Sequence, residues 1–260
     1  MPGDKLLRLS LCLLIGWCLM PVFPVCAWQD ADGHTATNAA DTLGDTEGLQ
    51  YDTGGSCTWN ANGLNVGVGA GVQSVDNIGT SGTGVLTFGL GITCGVDGTI
   101  GESGATLGTM NIYDGTLTLG VADGNEHFID LIAFKADGEL EVTNDNNIWG
   151  YVTTSTDGYG TLDLNGTTAV SGTVGTITRA LKNIEAGDTG EVATFNGDVY
   201  VDLLEVVGDG EIDFIGSLTN RDNSTDIDFT GDATLIVAGD FAGDQIVVGA
   251  NAATMTFSST

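Results

Sequence analysis

The sequence predicts an all-β protein, a parallel β-solenoid, on three observations. Apolar and polar residues alternate in short runs, as in "GELEV" (138–142) and "GEIDF" (210–214). Those runs end at Asn-Gly or Asp-Gly corners such as Asn165-Gly166, Asn196-Gly197 and Asp209-Gly210. Third, "HFIDLIAFKADGELEV" (127–142) recurs without a gap as "VYVDLLEVVGDGEIDF" (199–214), 72 residues later. Alternation packs one face of a strand and wets the other. Asx and Gly accept the positive φ of a sharp corner. A long internal period is the mark of stacked architectures, in which each coil shelters the apolar row of the next.

The elements follow in chain order. Residues 1–27 read as a secretory signal peptide: Lys5 and Arg8 precede an apolar run from Leu6 to Met20, and Pro21 and Pro24 break it before Val25-Cys26-Ala27. The run is shorter than the roughly 20 apolar residues a membrane span needs, so cleavage before Trp28 is expected. Residues 28–50 form an acidic leader without the repeat, and 51–83 an N-terminal cap around Trp59 that covers the first strand ladder. Residues 84–260 are solenoid repeats. "GVLTFGLGITCGVDGTIG" (84–101) and "GTLDLNGTTAVSGTVG" (160–175) open successive copies, "TDIDFTGDATLIVAGDFAG" (225–243) a looser third that breaks off partway. The unit is roughly 65–75 residues, read as about three coils. "TRALKNIEA" (178–186) is the one stretch with any helical character. The alternative fold is an antiparallel β-sandwich, because Asn-Gly between alternating runs is also a hairpin signal. A gapless match beside loops of varying length favours the solenoid, whose corners absorb insertions.

Charge narrows the partners. The chain carries a net −29, and residues 28–260 keep only Lys135, Arg179, Lys182 and Arg221 as Lys or Arg. Such a surface repels nucleic acid and anionic lipid, and stays soluble through self-repulsion. Outside the signal, Cys57 and Cys94 are the two cysteines. In an exported chain they form either a disulfide, stabilising by about 3–4 kcal/mol on the chain-entropy view, or two buried thiols.

Chemistry-bearing groups are few. Asp137, Glu139 and Glu141, and their counterparts Asp209, Glu211 and Asp213, sit on the outer sides of strands. Paired carboxylates are the tools of glycosidic cleavage, but both sets lie in repeated sequence, where a solvated face is the simpler reading. "NDNN" (144–147) and "NRDNSTDID" (220–228) concentrate oxygen ligands, and Asp222, Asp226 and Asp228 are weak calcium candidates. An EF-hand register would require Gly at Ile227 and Glu at Ala233, so the metal is at most weakly held. His34 and His127 are far apart in sequence, "GESGA" (101–105) lacks the last Gly of a nucleophile elbow, and "GLGITCG" (89–95) lacks dinucleotide-loop spacing. No catalytic or cofactor-binding residue is assigned, and the chain reads as a non-enzyme.

The stretch "GTLDLNGTTAVSGTVGTITRALKNIEAGDTGEVATFNGDVYVDLLEV" (160–206) resembles repeats in the passenger regions of bacterial autotransporters, most closely the rickettsial-type surface antigens. The likeness runs over 84–260 through Gly-x-Leu-x-Leu-x-Gly, a Val/Ile-Gly turn and Ala-Thr-Phe-x-Gly-x-Val-Tyr. It implies a right-handed parallel β-helix on the outside of a Gram-negative cell. The implied role is adhesion or shielding, toward a host or surface receptor, glycans included. Membrane association would come only through a C-terminal barrel, which no stretch of 84–260 resembles. A secreted β-helical carbohydrate-active enzyme or carbohydrate-binding module is the competing expectation.

Overall fold

A computed structural model describes residues 100–258 except 102, 105, 121–123, 222–225 and 250, together with the backbone of the strands from Trp28 to Thr99. The signal reading of 1–27 lies outside the described residues. Among the described residues, strands build two long sheets of 12 and 11, and the chain crosses from one to the other at successive corners. In the first sheet run Leu107–Ile112, Glu126–Phe134, Asn147–Thr154, Thr168–Val170, Val192–Phe195, Glu211–Phe214, Thr234–Val237 and Thr254–Phe257. The second holds Thr116–Leu119, Glu139–Thr143, Thr161–Asn165, Leu181–Ala186, Val199–Val206 and Leu218–Asn220. Pairing between these neighbours is parallel throughout. This is a parallel β-solenoid, and the antiparallel sandwich is ruled out. A sandwich would pair Glu139–Thr143 with the next strand, Asn147–Thr154; instead they lie in different sheets, each bonded to the coil above and below.

Among the described residues, antiparallel pairing between strands occurs only near the start, where Trp28–Asp30 pairs with Thr35–Ala36 and with Gly48–Tyr51. Gly48–Tyr51 then runs parallel to Val85–Phe88. The stretch expected as a leader therefore contributes strands to the first sheet, and its expected boundary at residue 50 falls inside Gly48–Tyr51.

One apolar core fills the space between the sheets. Inward columns run along it. Leu117, Leu140, Leu162, Ile184, Leu204 and Ile227 succeed one another in register in the second sheet, all buried. In the first sheet the column is His127, Ile148, Val170, Phe195, Phe214 and Val237, also buried. Parallel register places like residues over like at the 4.7–4.9 Å strand spacing typical of sheets, so branched aliphatics and stacked rings follow one another along the core. Phe195 and Phe214 lie 4.8 Å apart at 5° between ring planes.

The repeat differs from its sequence expectation in phase. Glu126–Phe134 belongs to the first sheet, but its copy Val199–Val206 belongs to the second. Likewise Val85–Phe88 lies in the first sheet and its copy Thr161–Asn165 in the second. Seven crossings separate the members of each pair. The unit is three and a half coils rather than three, and both sheets are built from one interchangeable half-coil. The one stretch with helical character, 178–186, is not helical: Leu181–Ala186 is a strand with Ile184 and Ala186 turned inward. Ladders on both sides satisfy its backbone, and tertiary pairing overrides a weak local propensity.

Corners depend on backbone conformation at specific residues. Asn144 and Asp145 both take left-handed values, φ 55° and 56°. Gly160 has φ +86°, and a Cβ there would fall 2.4 Å from Cγ of the buried Phe134 ring. Gly160→Ala therefore meets both a disfavoured φ and an overfilled core. Its expected cost is about 2–4 kcal/mol, read as a lower denaturation midpoint; a midpoint unchanged within error contradicts this placement.

Candidate functional surface

The outward side of the second sheet carries the densest chemistry. Alternation turns Glu141, Asp163, Glu185, Glu205 and Asp228 away from the core, and the register sets them on five successive rungs. Carboxylates one rung apart repel, and amide and hydroxyl side chains interleave to relieve this. Asn165 Nδ2 donates to Glu141 Oε1 (3.2 Å) and Asp163 Oδ2 (2.9 Å). Asn183 Nδ2 donates to Glu185 Oε1 (2.9 Å) and Glu205 Oε2 (2.6 Å). Thr118 and Thr116 hydroxyls bond Glu141 (2.7 Å) and Glu139 (3.0 Å).

The relief is partial. Burial pushes the Asp163 carboxyl up to about 7, with Asn165 pulling down and Glu185, Glu141 and Glu139 adding to the rise. Burial also raises Glu185, reinforced by the charge of Glu205 and a hydrogen bond to it. Asp163 therefore holds a proton near neutrality that an unfolded chain would release. Its contribution is complete below the ordinary carboxylate range and disappears as pH rises through about 7. Asp163→Asn is expected to raise the melting temperature at pH 8 and to shrink the gain seen on acidifying from pH 8 to 6. An unaltered pH profile would show that the ladder does not carry strain.

The two carboxylate sets expected from the repeat lie on opposite sides of the solenoid, because Glu139–Thr143 and Glu211–Phe214 are in different sheets. Glu211 and Asp213 stack on Val192, Thr194, Thr234 and Ile236 rather than on other acids. Burial raises the Asp213 carboxyl. Asp137 is bound to Lys182 Nζ at 2.8 Å and accepts from the Gly160 amide at 3.3 Å. Arg221 forks onto Asp157 at 2.6 and 3.3 Å. Burial works against the charge on Asp157, but Arg221 and the Ala180 amide outweigh it and hold the carboxyl low. Two cations thus tie coil corners together.

The calcium candidates separate. Asp222 lies outside the described residues. Asp228 faces outward at the end of the ladder, whereas Asp226 is fully buried. Its Oδ2 accepts the backbone amides of Asp244 and Gln245, the latter at 2.7 Å, and Asn220 Nδ2 bonds its carbonyl at 2.7 Å. Asp226 thereby braces the turn of the next coil. In "NDNN" the side chains are likewise engaged across coils: Asp145 with the Thr167 amide (2.8 Å), Asn147 with the Ala169 amide (2.7 Å), and Asn146 with the Asn125 amide (3.0 Å). Among the described residues no three His, Cys, Asp or Glu side chains converge to hold a metal.

His127 is in the core, where its Nδ1 accepts the Ile100 amide at 3.3 Å. Burial lowers its pKa to about 4, against a smaller upward pull from Asn146. Cys57 and Cys94 are Cα partners in the parallel pair Gly55–Asn60 and Ile92–Asp97; their side chains lie outside the described residues.

The outward side of the first sheet bears an aromatic patch that sequence reasoning missed. Phe128 and Trp149 stack across one rung, 6.0 Å apart at 11°. Trp149 remains 48% and Tyr151 58% exposed. Their spacing at i and i+2 on one strand was the available signal.

No known family, curated protein or solved structure matches the chain. No helix among the described residues is long and apolar enough to cross a membrane.

Proposed function

We propose that the chain is an exported, surface-displayed and non-enzymatic rod, an autotransporter-like passenger segment that adheres to or shields a surface. The observation that best supports this reading is the stack itself. Outward side chains are repeated rung after rung, and the most concentrated acids are hydrogen-bonded by Asn and Thr neighbours along the ladder. Export accords with the amino-terminal 1–27, and display on a Gram-negative outer membrane with the passenger-like repeats. The exposed Trp149 and Tyr151 offer a contact face for a receptor or glycan on the opposing surface.

Protease added to intact producing cells should remove the repeat region while a cytoplasmic marker survives. Protection of the repeats until lysis would overturn the display reading. Beads coated with the chain should adhere to cells or glycan surfaces, and Trp149→Ala/Tyr151→Ala should reduce adhesion several-fold.

A second reading, a β-helical carbohydrate-active enzyme, draws on Asp163, whose carboxyl is raised to about 7 beside Glu141 and Glu185 in the ladder. A panel of neutral and acidic polysaccharides decides between them. Turnover abolished by Asp163→Asn, Glu139→Gln or Glu211→Gln would replace the rod by an enzyme.

A further inference from the structure

We infer that the aromatic face of the first sheet takes an arginine side chain from a basic segment of a partner protein. The inference names a ligand for the contact face proposed above and rests on that reading. Shape is the first argument. Phe128 stacks on one side of the Trp149 ring, 6.0 Å away at 11°. Beyond Trp149 and Tyr151 the outward residues shrink, because the pairings Ile148–Val170 and Val152–Val174 bring Ser171 and Thr173 onto the next rung. Ser171 Oγ accepts the Gly150 amide at 2.9 Å and pins the two rungs together there. Gly150 stands between the two aromatics in the chain, and a Cβ on it would run into the Ile129 carbonyl oxygen. Two large rings, 48% and 58% exposed, therefore stand over a step of small hydroxyl side chains.

Charge is the second argument. Phe128 is flanked on its own strand by Glu126 and Asp130, both exposed. Asp130 lies in the bulge between Phe128 and Leu131, the residues that pair with Trp149 and Tyr151. None of the three strands Glu126–Phe134, Asn147–Thr154 and Thr168–Val170 contains Lys or Arg, and Lys135 stands just past the first of them. The rings are thus rimmed by carboxylates on a chain of net −29. That field draws cations in and turns acidic glycans and phosphates away.

Aromatic faces carry negative potential and attract a cation placed over them, Trp most strongly. Guanidinium fits this face best. It is planar and weakly hydrated, and it stacks on a ring while its N–H groups fork to a carboxylate or a hydroxyl. Quaternary ammonium groups are held in cages with rings on several sides, whereas Trp149 and Tyr151 rise side by side from one strand and leave the site open. A neutral sugar would stack on the same rings but gain nothing from the long-range field.

The probe is a short glycine-serine peptide carrying two arginines, beside a twin in which citrulline, the uncharged isostere, replaces both. Binding to the purified full chain is followed by calorimetry and by tryptophan emission, with Trp149→Phe marking the part that comes from Trp149. In low salt the arginine peptide should bind about tenfold more tightly than its twin. Trp149→Ala/Tyr151→Ala should weaken it about tenfold and Asp130→Asn about threefold, in protein that still melts cooperatively. Glu205→Gln, in the acidic ladder of the other sheet, should change it by less than about twofold. Equal affinity in the double variant and the parent would reveal adsorption to the overall charge and overturn the inference. Equal binding of the two peptides would refute it as well. Neutral oligosaccharides that shift Trp149 emission where the arginine peptide does not would keep the contact face and replace its ligand. Beads that fail to adhere while the arginine peptide binds as expected would remove the adhesion reading alone.

Discussion

Phe214→Ala is expected to lower the free energy of unfolding by about 3–5 kcal/mol, the usual cost of emptying a buried aromatic site. Phe214 is fully buried, stacks on Phe195 at 4.8 Å, and sits in register below Val237. A coil cannot collapse into the vacancy, because the ladder fixes the positions of the rungs on either side. The residual cavity therefore persists. The loss should appear in urea unfolding as a lower midpoint, with the carboxy-terminal coils losing amide protection first, since a solenoid's coils contact only their neighbours. A change below about 1 kcal/mol would place the ring outside the core.

His127 should blunt the stability that the protein gains from acid. Its folded pKa of about 4 lies below the ordinary 6.5, so the neutral imidazole favours the folded state. The sign follows: the contribution is fully present above about 6.5 and lost as pH falls through about 4, a total of about 3 kcal/mol. Asp163 acts in the opposite direction, gaining stability as pH falls through about 7. Between about 6.5 and 4 the two nearly cancel, so stability should rise on leaving alkaline pH and then level off in the mildly acidic range. His127→Gln keeps an acceptor for the Ile100 amide and removes the opposing titration, so stability should go on rising as pH falls from about 6.5 to 4, with the alkaline limb left in place. Identical profiles below pH 6.5 in His127→Gln and the parent would show that His127 carries no such penalty.

The solenoid was legible because its physics is local. Period-two runs such as Glu139–Thr143, Asx-Gly corners and a gapless repeat each state what one coil needs. What escaped was set by register between coils. Glu141, Asp163, Glu185, Glu205 and Asp228 are unremarkable along the chain and become a ladder only once their rungs are stacked. The half-coil phase was hidden because both sheets use the same arc, so a copy in the opposite sheet reads the same as one directly above. His127 was obscured by a bulge: pairing shifts between Phe128 and Leu131. His127 and Ile129 are buried on one side of it, and Ile132 and Phe134 on the other, which reverses the alternation within a single strand.

The most direct measurement is an experimental density map, by crystallography or cryo-electron microscopy, that resolves Glu139–Thr143. It should lie between Thr116–Leu119 and Thr161–Asn165, parallel to both, with Leu140 aligned with Leu117 and Leu162. Finding that strand folded back antiparallel against Asn147–Thr154 would contradict the stacked coil and everything derived from it.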